Sequence, residues 1–225
     1  MRRTFAIGGK TVFVFRSNRP GSPVIYLNTY SDERQKIYEA VQATGCPPFT
    51  LVTVSNLAWN HDMAPWDSPA AFKKGEPFIG GADNYLRLLV EEIIPRAEKE
   101  LAEPPVWRGI AGYSLAGLFA LYAIYRTDVF SRVGCMSCSL WFPGFKEYIF
   151  SHEPKRRPDC IYFSLGDKEA KTRNSVLKTV QENTEEIQAF YQSKGIDTVF
   201  QLNPGNHFVQ GIERTIAGIQ WLLRR

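Results

Sequence analysis

The stretch RGIAGYSLAGLFALYAIYR, Arg108–Arg126, decides how this chain is read. A short apolar run meets Gly112-Tyr113-Ser114-Leu115-Ala116-Gly117, and an uninterrupted apolar segment follows. As strand, sharp turn and helix, it places Ser114 on the turn. Small residues two before and two after such a serine let strand and helix approach closely. Ala116 departs from the strict G-x-S-x-G form by one methyl, and Gly117 follows at once. The competing reading is a serine that merely caps a buried helix. The rest of the chain has to decide.

Outward from that turn, strand-like and helix-like runs alternate. Thr11–Phe15, Pro23–Asn28, Phe49–Asn56, Val106–Gly112, Ser131–Ser139, Cys160–Gly166 and Thr198–Asn203 read as strands. Pro23–Asn28 is apolar on both faces and so belongs mid-sheet. Ser31–Gly45 reads as a helix with Ser31 or Asp32 as cap, acidic residues in its first turn and Gly45 as its stop. Asp83–Leu101 reads as an amphipathic helix opened by Asp83 and kinked at Pro95. Leu115–Tyr125, Ser175–Gly195 and His207–Arg225 complete the helices. Such alternation implies an α/β fold, with a mostly parallel central sheet and helices on both faces. Ligands then sit at the carboxyl ends of the strands. No repeat or linker divides the chain. Residues 1–225 are expected to form a single domain, with a Trp- and Pro-rich loop at about 57–82 lying over the site.

The totals exclude some classes. The 225 residues are 44% hydrophobic and 22% charged, with a net charge of +4, an ordinary globular balance. Lys155-Arg156-Arg157-Pro158 is too short a basic run to read as more than a solvated loop, so no nucleic-acid partner is expected. The basic-then-apolar start, Met1–Phe15, is interrupted by Gly8, Gly9 and Lys10 and lacks a cleavage site, which makes it a strand hairpin. No segment approaches the roughly 18 apolar residues of a membrane span, so no membrane insertion is expected and the cytoplasm is the expected location. Cys135 and Cys138 have C-x-x-C spacing but no matching second pair, and strand alternation would point them to opposite faces. With Cys46 and Cys160 they read as thiols in a reducing compartment, without a metal site.

A serine nucleophile needs a base, a group to orient that base, and N–H donors for the oxyanion. On this scaffold the partners follow in the order serine, acid, histidine. The chain has three histidines. His61 precedes the serine, His152 lies in a charged surface stretch, and His207 falls between the last strand and the last helix, where the base belongs. Asp167 and Glu169 both follow Gly166 at the end of the preceding strand. Glu169 is favoured by its longer reach. The N–H of Leu115 and one from Thr29 or Tyr30, with Tyr30 better placed, would form the oxyanion hole.

GYSLAG (Gly112–Gly117), SLGDKE (Ser164–Glu169), GNHF (Gly205–Phe208) and GIQWL (Gly218–Leu222) together resemble the putative-esterase branch of the α/β-hydrolases, the esterase D and enterochelin-esterase-like group. Asn56–Pro69 resembles that family's Trp- and Pro-rich loop, Ser137–Phe145 its Ser-x-Ser-x-Trp segment, and Tyr26–Tyr30 its oxyanion loop, which carries Tyr30 over as a donor. The resemblance covers most of the chain. It implies an α/β-hydrolase fold and serine-dependent carboxylic-ester hydrolysis of a small-molecule ester, without metal or organic cofactor. Ser114 would be nucleophile, His207 base and Glu169 orienting acid. Some relatives work with a Ser–His pair alone, which leaves the acid's role open.

Trp59, Trp66 and Trp141 fall in loops at the catalytic end and are the candidate substrate-binding residues. The natural ester, thioester or lactone is not fixed by the sequence, nor is a monomer or homo-oligomer. An acyltransferase on the same acyl-enzyme and a non-catalytic ligand-binding relative are the alternatives. An intact Ser, acid and His set argues against the latter.

Overall fold

The structure is a computed structural model that describes residues 2–30 and 32–225. Its frame is one eight-stranded sheet. The strands are β1 (Arg2–Ile7), β2 (Lys10–Phe15), β3 (Val24–Asn28), β4 (Thr50–Ser55), β5 (Arg108–Tyr113), β6 (Arg132–Met136), β7 (Cys160–Gly166) and β8 (Asp197–Asn203), in the spatial order β1-β2-β4-β3-β5-β6-β7-β8. β1 and β2 form an antiparallel hairpin, and β2 pairs antiparallel with β4; every other pairing is parallel. Gly8 and Gly9 both take positive φ at the hairpin tip, the turn that suits the twist of paired strands. All residues of β3 and β7 are buried, as expected of strands covered on both faces.

The helices are α1 (Arg34–Ala43), α2 (Trp59–Asp62), α3 (Ala82–Leu88), α4 (Ile94–Glu98), α5 (Leu115–Arg126), α6 (Phe145–Ser151), α7 (Val180–Ser193) and α8 (Gly211–Leu223). Two cores result. Ile37 and Val41 of α1 meet Ile219 and Leu222 of α8 on one face of the sheet. The other face carries Leu89, Leu118, Phe119, Ile149, Ile187 and Tyr191 from the remaining helices. α5 is buried at every residue but Arg126, because it is apolar all round and lies between the sheet and its neighbours. Among the described residues no helix is long and apolar enough to cross a membrane.

Several local expectations need correction. Asp83 does not open its helix; Gly81 precedes α3, and Asp83 instead accepts from Arg126 and from the Tyr122 hydroxyl at 2.9 Å. Between α3 and α4 the chain widens into a π-helical turn, Leu89–Ile93, just before Pro95. Proline lacks an N–H and crowds the carbonyl four residues back, so the ladder is re-registered rather than simply bent. α1 has no acidic residue in its first turn. Of its two expected caps, Ser31 lies outside the described residues, and Asp32 forms an ion pair with Arg34. Cys135 and Cys138 do not point to opposite faces. β6 ends at Met136, Ser137 takes φ +45°, and both thiols enter the same core, packed against Gly117.

Candidate active site

β5 runs straight into the turn that carries Ser114. The serine takes φ +61° and ψ −125°, a region costly for any residue with a Cβ and seen mainly where function demands it. Its neighbours hold it there. The Ser114 N–H donates to Met136 O at 3.0 Å, and its carbonyl accepts from Gly117, Leu118 and Ser139. A Cβ on Gly112 would lie 2.3 Å from the Ala116 carbonyl carbon, so glycine at 112 makes the space in which Ala116 substitutes for the second glycine. The hydroxyl makes no capping bond to its own helix. It lies 3.0 Å from His207 Nε2 and 3.3 Å from Ser139 Oγ.

His207 sits in the loop between β8 and α8, ahead of the helix rather than inside it. Its Nδ1 lies 2.7 Å from Glu169 Oε2. The other carboxylate oxygen accepts from the Gly166 N–H at 2.7 Å and from Arg214 Nη1 at 2.8 Å. Asp167 is turned elsewhere and accepts from the Gly205 N–H at 2.8 Å, which ties the acid loop to the histidine loop. Burial pushes the Glu169 carboxyl up, but the hydrogen bond and charge of His207, with further bonds from Gly166 and Ser137, outweigh it. The group is therefore held below the ordinary carboxylate value. An ionised acid against Nδ1 fixes the tautomer that presents Nε2 as an acceptor to the serine.

Of the expected oxyanion donors, Leu115 is the first residue of α5, where a helix has no internal acceptor for its N–H groups. The Thr29 N–H is committed to Val54 O at 2.9 Å, so of the two loop candidates Tyr30 is the one without that commitment. The Tyr30 side chain is exposed and meets Trp59 edge-to-face at 5.4 Å.

Two cavities flank Ser114 and share the walls of His207 and Phe208. The larger, about 630 Å³, includes Tyr30, Trp59, Ile37 and Ile212. The smaller, about 420 Å³, includes Phe72, Trp141, Leu177, Lys168 and Lys171. The 57–82 loop thus reaches both, through Trp59 and Phe72. Trp66 is engaged elsewhere: its Nε1 donates to Pro143 O at 3.0 Å, and its ring packs on Phe142, Phe145 and Tyr148. The reason is that Gly144, with φ +79°, brings the 137–145 segment against its indole.

Arg214 was not singled out from the sequence. It projects from α8 at the same helical face as Gly218 and Leu222, and a charged residue at an inward position was the available signal.

The sequence profile described as "Putative esterase" matches residues 20–218. An uncharacterized protein of Bacillus subtilis, YbbA, is 22% identical over 220 residues, 92% of this chain and 88% of its own. Among solved structures, an IroE-like serine hydrolase from Shewanella oneidensis superposes with a TM-score of 0.82 at 18% identity, over 100% of this chain and 80% of that one. The siderophore hydrolase EstA from Aspergillus nidulans gives 0.76 at 16% identity, over 100% and 94%. With the profile spanning most of the chain, this protein belongs to the putative-esterase family, carboxylic-ester hydrolases of the α/β-hydrolase fold.

Proposed function

We propose that the protein hydrolyses a carboxylic ester through an acyl-enzyme on Ser114. The observation that carries this is the unbroken path Ser114 Oγ, His207 Nε2, His207 Nδ1, Glu169 Oε2, with links of 3.0 and 2.7 Å. In this mechanism Ser114 Oγ attacks the ester carbonyl as its proton passes to His207 Nε2. The Leu115 and Tyr30 N–H groups receive the negative oxygen. His207 returns the proton to the departing alkoxide, and water, activated by the same imidazole, then releases the acid. Glu169 stays ionised and stabilises the imidazolium. The two cavities on either side of the serine suit an ester with two sizeable arms. Trp59 and Trp141 offer each arm an aromatic wall, and Phe208 divides them. Four free thiols, three of them buried, suit a reducing compartment such as the cytoplasm.

The test is hydrolysis of p-nitrophenyl esters with short, long and aromatic acyl groups, beside fluorophosphonate labelling, in wild type and Ser114→Ala. We expect turnover to fall by at least about 10³-fold in the variant, with labelling lost and the melting temperature retained. Turnover near the wild-type level in Ser114→Ala would overturn the nucleophile assignment. A siderophore lactone in the same panel asks whether the activity named for the Aspergillus relative extends to this chain.

A further inference from the structure

We propose that Arg214 is a positioning residue that locks the acid and base of this site into one unit. This rests on the esterase reading above. The side chain is 1% exposed and engages three loops at once. Nη1 lies 2.8 Å from Glu169 Oε1, 2.9 Å from Ser137 Oγ and 3.2 Å from the Tyr113 hydroxyl. Nη2 donates to the carbonyls of Pro204 and Asn206, both at 3.1 Å. Pro204 and Asn206 precede His207 directly.

The guanidinium therefore reaches His207 by two routes. One passes through Glu169 to the ring. The other passes through Tyr113, whose hydroxyl accepts from Arg214 and donates to the His207 carbonyl at 2.7 Å. Burial raises the Tyr113 hydroxyl's pKa, so it keeps the proton it donates. The surrounding chain makes room for this. A Cβ on Gly166 would fall 2.7 Å from Arg214 Nη2 and 2.2 Å from Gly205 O, so only glycine lets the acid loop, the arginine and the histidine loop meet.

An arginine does not lose its proton at any working pH. Glu169 therefore faces a permanent cation on one oxygen and the His207 imidazole on the other, so the carboxylate is held in place while Oε2 is left to the ring. The other charged groups on this side are Asp167, Lys168 and Lys171 on the acid loop, and Glu33 and Glu213 in the wall of the larger cavity. None of them is common to the two routes.

The test is the rate of fluorophosphonate labelling at Ser114, with kcat and KM for an activated ester, in wild type, Arg214→Met and Arg214→Lys. In Arg214→Met we expect labelling and kcat at least about tenfold lower, with KM within about twofold of wild type. Arg214→Lys keeps a charged donor for Glu169 and loses the fork, so it regains part of that rate. Equal slowing of both variants with KM raised alongside means a merely structural role and overturns the proposal. Should Arg214→Met not fold, Arg214→Lys and Tyr113→Phe carry the test. Slower labelling and lower kcat of the folded proteins at an unchanged KM support the two routes, and wild-type rates in both overturn them. Wild-type protein that never labels overturns the esterase reading, and this proposal with it.

Discussion

Two arginine–glutamate pairs stand at opposite ends of β5. At the amino end, Arg108 Nε and Nη2 each donate to one oxygen of Glu98, both at 2.7 Å, and the Tyr26 hydroxyl adds a third bond at 2.8 Å. At the carboxyl end, Arg214 takes a single oxygen of Glu169 and leaves the other to His207. The first pair is closed: the fork satisfies the carboxylate completely, and it braces α4 against the sheet. The second is open. Its carboxylate is bound on both oxygens, yet one of them is left to a histidine. The difference lies in geometry rather than composition, since a bidentate clamp on Glu169 would compete with His207 for Oε2. A third carboxylate shows that sharing is not sufficient. Asp62 gives one oxygen to His61 at 3.0 Å and the other to Lys10 and the Ala58 N–H. But the His61 ring is laid over Gly81, where a Cβ would come within 2.1 Å of it. That ring, 43% exposed, rests on a glycine backbone, whereas His207 has a serine hydroxyl on a strained turn.

The comparison breaks most visibly at Glu169. Glu169→Gln should lower kcat by about 10²–10⁴, because the imidazolium loses its counter-charge and the tautomer is no longer fixed. Asp167→Asn takes away a charge but keeps an acceptor for the Gly205 N–H, and should stay within about tenfold of wild type. Steady-state kinetics on one activated ester ranks the two. The reverse order would move the acid to Asp167.

At the other end of β5 the expected signature is inverted. Glu98→Gln should cost about 1–3 kcal/mol of stability, by leaving a half-buried guanidinium with one weak partner, while kcat/KM stays at the wild-type value. Burial, and then the charge of Glu98, keep the Tyr26 hydroxyl protonated, so the tyrosine is left as a donor to the new amide. A denaturant titration beside an ester assay reads both quantities. A large loss of turnover in fully folded Glu98→Gln would mean that the two pairs are coupled along the strand.

How much of this was legible beforehand follows from what is local. Ser114's turn is written in six consecutive residues, and the order serine, acid, histidine follows from the topology. Strands β3 and β7 are covered on both faces and read as plain apolar runs. Features that depend on a distant partner were hidden. Asp83 has the chemistry of a cap, yet Arg126 and Tyr122, some forty residues on, claim it. The orientation of Cys138 depends on the positive φ of Ser137, which no side chain announces. Trp66 looked like a site residue until the 137–145 segment covered it. Arg214 could have been found as a charge on an apolar helical face, but its partners come from three loops and are adjacent only in the folded chain.

The smallest effect concerns stability against pH. Glu169 is held below its ordinary value in the folded protein, so its ionised form contributes stability that is fully present above about pH 4.5 and is lost as pH falls through the folded value. Glutamine does not titrate. Wild type should therefore lose stability relative to Glu169→Gln between pH 5 and pH 3. Parallel melts of the two proteins across that range read the difference directly. A gap that widens in favour of wild type as the pH drops would mean that burial wins over the hydrogen bonds at Glu169, and that the open pair is held by packing rather than by its partners.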